Sequence, residues 1–352
     1  DTPSACGGVV HSVQGKHVLV IGYGKSACDV AQAASTVAAS TTVVARELIW
    51  KVPKKLMNVL NYKYLLLTRL GEGLFKYRKI KGFEKFLHGV GQPIRNTMLA
   101  QVQRIITKQL QLKKLNLIPK KPFETIARST VSLATDGFYR SVASGRIQVK
   151  PNSAVLRIVP SAEQQSGAES VAELSVSSGD RTDERIRIPV DTIICGTGWT
   201  QSVPFFSEAL NQQITDADGN FRLYRLMVPV GIPNLAFNGY NSSFFSQLNC
   251  EIGALWIASV MNNSLSLPAQ AHQNQLVDLR LEWIQQFTEG KHSKGTNIIP
   301  FSIHHIDELL ADMKLTLPLS VRLKQWLLPI DPRDFAVVTQ RWFNRYQPNT
   351  LE

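Results

Sequence analysis

The chain has little of what builds disulfide frameworks or metal clusters. Only four of its 352 residues are cysteines. Cys6, Cys28, Cys195 and Cys250 are far apart and form no CxxC pair, which argues against a disulfide scaffold, a zinc site and a dithiol redox centre. A reducing, cytoplasmic setting is the expectation. No run of eighteen apolar residues occurs, so no segment is expected to span a bilayer, and the N-terminus lacks the charged-then-apolar layout of a signal peptide. Internal repeats, low-complexity tracts and RNP-type motifs are missing too, and no nucleic-acid partner is expected. Acidic residues are in deficit. Against 39 Lys and Arg there are 27 Asp and Glu, a formal charge of +12. Much of that excess falls between Lys51 and Lys121, where it would attract an acidic ligand or anionic lipid. Otherwise 44% hydrophobic and 19% charged residues describe an ordinary globular protein, long enough for a large core or two domains.

The most informative stretch is 17–46. Val18 to Ile21 is a short apolar run suited to a strand buried on both faces, and Gly22-Tyr23-Gly24-Lys25-Ser26-Ala27 follows at once. From Ser26 to Ala39 small and apolar residues recur at helical spacing, and Thr41 to Ala45 is β-branched again. Strand, glycine turn, helix and strand make a βαβ unit. In such a unit Gly22 permits the sharp turn, Gly24 lets a pyrophosphate approach the backbone, and the helix N-terminus presents free N–H groups to the anion. Ala27 takes the third glycine's place, which the fingerprint tolerates. A tight structural turn with no ligand is the simpler alternative.

Arg46 ends the second strand, with Lys51, Lys54 and Lys55 close behind. An acidic residue there would accept from a ribose 2′-hydroxyl, whereas arginine suits a 2′-phosphate, so NADP(H) is expected over NAD(H). A solvated pair with the adjacent Glu47 is the other reading of Arg46.

Residues 1–16 read as a linker. From Trp50 to Lys121 the pattern is helical, long and basic, with leucines and aromatics between the cations. This is either a helical insertion packed on its own domain or a surface that covers a substrate channel or rests on a membrane. The Gly71-Glu72-Gly73 turn follows no convincing strand and is not counted as a phosphate loop. After Lys121 come short alternating segments: a strand after Gly145, another at Val155 to Val159, and a hairpin from Leu174 to Ser178 and Arg185 to Ile188. Asp191-Thr-Ile-Ile-Cys-Gly-Thr-Gly-Trp-Thr then repeats the buried strand ending in glycines. A short strand is expected at Leu235 to Asn238, a donor-rich turn at Gly239 to Ser243, and helices at Asn249 to Val260, Gln275 to Phe287 and Ile306 to Met313, followed by an irregular tail punctuated by prolines.

These pieces together resemble the flavin-containing monooxygenases of plant and microbial type. GKHVLVIGYGKSACDVA is similar to their NADPH-binding glycine motif, TTVVAR with Trp50 to Pro53 to the second strand and its exit, and FYRSVASGRIQVKP to the segment before the meander. DTIICGTGWT resembles their ATG[YF] strand end, and GYNSSFFSQLNCEIGALWIASVMNNSLSLP the return to the flavin domain. The resemblance implies an α/β fold: a Rossmann-like NADPH-binding domain (17–50 and 122–200) with a β-meander, a basic helical insertion (51–121), the C-terminal part of a second, FAD-binding dinucleotide domain (201–268) and a helical extension (269–352). It implies that FAD is reduced by NADPH and adds O₂ as a C4a-hydroperoxide, which oxygenates a small substrate at nitrogen, sulfur or a carbonyl. By match, Gly22, Gly24, Lys25, Ser26 and Ala27 would serve the NADP pyrophosphate and Arg46 the 2′-phosphate. Gly196, Thr197 and Gly198 would lie at the interdomain turn, and Asn241 and Gln247 in the flavin-facing return. No catalytic triad and no metal are implied.

The match departs from the family at the start. The family opens with its own strand-GxGxxG-helix for FAD upstream of the NADPH motif, and the 352 residues contain no such segment. Of its FxGxxxH sequence Gly7 and His11 are present, with Ala5 in the aromatic's place. Residues 1–16 are therefore read as a remnant of the FAD domain, and the chain, starting at Asp1 without methionine, as a fragment or processed form expected not to hold FAD tightly or turn over alone. Two other readings stay open: a non-catalytic NADPH-binding or peripheral membrane module derived from such an enzyme, with contact through 51–121, and an N-hydroxylase of amino acids.

Overall fold

The computed structural model describes residues 12–128, 133–160, 170–176, 184–198, 203–240, 244–288 and 302–346. The chain divides into two compact units: 1–60, 100–126 and 132–199 form the first, and 61–99, 127–131 and 200–352 the second. Residues 51–121 are thus shared between the two.

Unit 1 is built on a parallel sheet. Strand β1 (His17–Ile21) leads through the helix Lys25–Ala34 to β2 (Ser40–Ala45), and β3 (Ile147–Pro151) follows the short helix Phe138–Ala143. An antiparallel meander of β4 (Ser153–Pro160), β5 (Ser170–Val176) and β6 (Glu184–Val190) comes next, and β7 (Thr192–Cys195) returns to the parallel sheet. The sheet order is β3-β2-β1-β7, with Val18 opposite both Thr41 and Thr192. The apolar runs at Val18–Val20 and Val43–Ala45 are buried because β1 and β2 are central strands covered on both faces. Leu19 and Val44 pack against Ala172, Leu174, Ile188 and Val190 of the meander. A short meander thereby covers one face that a helix covers in a simple doubly wound sheet.

The first helix is shorter than its apolar periodicity suggests. It stops at Ala34, where the Ser35 hydroxyl donates to the Gln32 carbonyl and the Thr36 hydroxyl to the Ala33 carbonyl. Those side chains compete for the acceptors that helix continuation would use.

Unit 2 is mainly helical. Its core gathers Trp256 and Ile252 of the helix Ser246–Met261, Ile306, Leu309 and Leu310 of the helix Ser302–Asp312, and Phe335, Val338 and Trp342 near its end. The expected irregular tail is in fact helical at Leu319–Leu327 and Ala336–Tyr346. Its prolines 318, 329 and 332 fall between or ahead of these helices, where a missing N–H costs nothing. No strand forms at Leu235–Asn238. The Phe237 N–H bonds the Met227 carbonyl at 2.7 Å, and the segment packs as a loop. The basic stretch yields one long helix, Gln92–Gln109, and otherwise short turns of helix, because Gly82, Gly89 and Gly91 interrupt it. Among the described residues no helix is long and apolar enough to cross a membrane.

Candidate functional site

Strand β1 ends where the sheet order reverses, since β2 lies on one side of it and β7 on the other. In open α/β sheets ligands bind outside the carboxyl ends of the strands at such a point. The backbone there is crowded. Gly22 has φ +121°, and its N–H bonds the Val44 carbonyl at 2.9 Å. A Cβ on Gly22 would lie 2.3 Å from the Gly196 carbonyl oxygen, and one on Gly196 would lie 2.6 Å from Ala27 Cβ. Gly22, Gly196 and Ala27 therefore interlock, and only the smallest side chains let the helix start against the ends of β1 and β7. On the outer side the loop is open: a Cβ on Gly24 would meet nothing within 4 Å.

Gly24 is the N-cap of the helix Lys25–Ala34 and offers no side chain to cap it, and the first turn carries no acidic residue. The leading N–H groups, on Lys25, Ser26 and Ala27, have no intrahelical acceptor. They form the positive end of the helix dipole, and the first turn has no carboxylate to occupy it. Ser26 is exposed, whereas the Lys25 ammonium is held by Asp29 at 2.5 Å. The Thr135 hydroxyl also donates to Asp29, at 2.5 Å. Arg46 stands exposed at the end of β2, and Glu47 pairs instead with Lys121 at 3.3 Å. The Arg46–Glu47 alternative is thus weakened. Thr197 and Gly198, the latter at φ +93°, lie exposed past the end of β7. The structure brings Gly22, Gly24, Lys25, Ser26, Ala27, Arg46 and Gly196–Gly198 to one edge of unit 1.

The basic residues after Arg46 behave differently from one another. Lys54 bonds Asp136 at 2.6 Å and Lys55 is exposed, but Lys51 is 1% exposed. Its ammonium lies 4.8 Å from the centre of the Tyr23 ring and makes no hydrogen bond. Burial lowers its pKa and raises that of the neighbouring Cys28 thiol. Tyr23 is tied to Tyr139 through their hydroxyls at 3.1 Å. Behind the glycine turn there is thus a buried amine, thiol and pair of phenols that periodicity did not reveal. The one signal was a lysine inside the otherwise apolar Leu48-Ile-Trp-Lys-Val52.

In unit 2 the expected flavin-facing residues are less developed. Asn241 lies outside the described residues, and Gln247 is exposed in the first turn of the helix Ser246–Met261. The loop before that helix is pressed against it: a Cβ on Gly239 would lie 2.9 Å from Cys250 Sγ, and one on Gly253 2.9 Å from Asn238 Oδ1. A groove of about 660 Å³ in unit 1 is lined by Arg104, Lys108, Lys113 and Lys114 with Ala100 and Ile118. None of the predicted site residues lines it.

The family model described as flavin-binding monooxygenase-like matches residues 9–325. The chain belongs to that family. Among its relatives are a probable flavin-containing monooxygenase 1 of Arabidopsis thaliana, 22% identical over 86% of this chain and 55% of its own length, and human flavin-containing monooxygenase 3, 22% identical over 91% and 51%. This member of the family therefore spans about half the length of those relatives. Similar solved structures include an S-allyl-L-cysteine S-oxygenase from Allium sativum, at 14% identity and TM-score 0.46 over 97% of this chain and 51% of that one. A cyclohexanone-bound cyclohexanone monooxygenase matches at 13% and 0.48, over 85% and 66%.

Proposed function

We propose that unit 1 is the NADP(H)-binding part of an NADPH-dependent flavin monooxygenase, with 17–50 and 122–200 as its dinucleotide domain. Residues 51–121 are then the insertion, 201–268 the return to an FAD-binding domain, and 269–352 an extension. The observation that carries this reading is the interlock of Gly22, Gly196 and Ala27 at the reversal of sheet order, with open space over Gly24. The fit to a pyrophosphate rests on donors. The N–H groups of Lys25, Ser26 and Ala27 would hold it, and no acidic side chain in the helix's first turn opposes it.

Arg46 would bind the 2′-phosphate through charge-assisted hydrogen bonds. Thr197 and Gly198 would border the cofactor where β7 ends. Membership in a flavin-binding family supports FAD as the second cofactor, with Asn241 and Gln247 in its return segment. The bound nicotinamide would supply a hydride to FAD, and the reduced flavin would activate O₂ for transfer to a small substrate bearing a nucleophilic nitrogen or sulfur, or a carbonyl.

Arg46→Ala tests the cofactor assignment. It is expected to weaken NADP⁺ by roughly 10- to 100-fold, the value of one hydrogen bond between charged groups, while NAD⁺ changes little. Equal losses for both nucleotides in a binding titration would overturn the role of Arg46.

A further inference from the structure

Unit 2 buries a group of guanidinium side chains, none of which the cofactor reading uses. Arg225 lies in a left-handed turn with Leu226, at φ +54° and +59°. Its Nε and Nη2 donate to Asp312 at 2.8 and 2.7 Å, and its Nη1 donates to Glu308 at 2.9 Å. Glu308 also accepts from Arg280 Nη2, from Arg78 Nη2 at 3.4 Å and from the Tyr77 hydroxyl at 3.0 Å. Asp312 accepts from Trp256 Nε1 at 3.1 Å. Three guanidiniums therefore share two carboxylates, each already bonded several times.

Two donors are left over. Arg280 Nη1 and Arg78 Nε are buried and have no hydrogen-bond partner. The Arg280 side chain is 6% exposed and that of Arg78 11%. Both residues, with Arg225, line one small cavity, whose remaining walls are Tyr224 and aliphatic side chains. Its volume is about 10 Å³, room for a single atom-sized occupant and too little for phosphate or sulfate. No carboxylate is among the lining residues, which are three arginines, Tyr224 and aliphatic side chains. The three carboxylates around His304 and Arg69, those of Glu72, Glu84 and Asp307, do not line the cavity.

We propose that this cavity binds one monatomic anion of the halide class, accepting from Arg280 and Arg78 and offsetting the third guanidinium. The occupant needs no hydrogens of its own and supplies the acceptor that both orphaned donors lack. Chloride is the abundant candidate. The site is independent of the nucleotide reading of unit 1.

The test uses the 352-residue chain. Its thermal midpoint, measured at constant ionic strength, is expected to rise by several degrees when gluconate is replaced by chloride or bromide, and to keep rising with halide concentration. Arg78→Lys keeps the charge and removes the Nε donor; it is expected to lose most of that response while still melting cooperatively in gluconate. Should that variant fail to fold, bromide-soaked crystals of the unchanged protein decide the matter through an anomalous peak within hydrogen-bond reach of Arg280 Nη1 and Arg78 Nε. Equal midpoints in chloride and gluconate, an undiminished halide response in Arg78→Lys, or a cavity without anomalous signal would each overturn the proposal.

Discussion

Lys51 in unit 1 and Glu308 in unit 2 are both ionisable side chains withdrawn from water, and their surroundings treat them in opposite ways. Lys51 has an aromatic face and a thiol for neighbours and no hydrogen bond, so burial pushes it toward the neutral amine. Glu308 accepts from three arginines and a tyrosine, and those cations hold its carboxyl well below the usual carboxylate range. A buried charge survives only where its partners replace the water it has lost; alone, it gives up the charge. The difference also separates two adjacent residues. Both ring nitrogens of His304 face carboxylates, Glu72 at 2.5 Å and Glu84 at 2.7 Å, and its pKa is raised to about 10. His305 bonds Asn249 and the Arg225 carbonyl instead, and burial together with nearby Arg280 lowers it to about 4.

The sharpest way to break the contrast is Glu308→Ala. It strands Arg78 and Arg280 without a carboxylate and should cost about 3–5 kcal/mol in urea unfolding of the chain, the range for a buried pair left with one partner. A loss below about 1 kcal/mol would mean that water, not Glu308, solvates those guanidiniums.

A smaller effect is expected from pH. The folded pKa of His304 lies above its unfolded value of 6.5, so the stability it contributes is complete below pH 6.5 and is lost as pH rises toward about 10. By pH 8 the loss reaches roughly 2 kcal/mol, at about 1.4 kcal/mol per pH unit between the two pKa values. His304→Gln, which cannot carry the charge, should flatten that alkaline limb of the stability profile, and an unchanged limb would assign it to other groups.

The smallest change should come from Lys51→Met, and its sign is opposite. Removing a buried amine that has no acceptor, with little change in shape, should stabilise the protein by about 1 kcal/mol near pH 7. The folded pKa of Lys51 lies below the ordinary 10.5, so its penalty grows as pH falls from that value and vanishes above it. Destabilisation by Lys51→Met in a thermal melt would show instead that the ammonium is charged and held.

Local pattern made much of unit 1 legible. The apolar run before Gly22, the helical spacing after it and the β-branched segment ending at Ala45 each occupy a few turns or strand residues, and each forms roughly where periodicity placed it. The glycines at 22 and 196 were visible, but not their mutual approach, which depends on β1 and β7 pairing across the whole meander. Lys51 was grouped with the solvent-facing cations near Arg46 because charge in sequence carries no depth. Glu72 was read only as part of a turn that is not a phosphate loop, yet it anchors the start of the helix Ser302–Asp312 by accepting from the Ile303 and His304 N–H groups. Nothing near Glu72 in the chain announces a partner more than two hundred residues away.

By itself the sequence determined the elements whose causes are short-range: the βαβ unit, its glycine turn, and the family to which these motifs belong. Tertiary structure alone decided which ionisable groups keep their charge, because that depends on the number of hydrogen-bond partners brought in from distant segments. It also decided the steric demand at Gly22, since the atom that forbids a side chain there is a carbonyl oxygen from another strand.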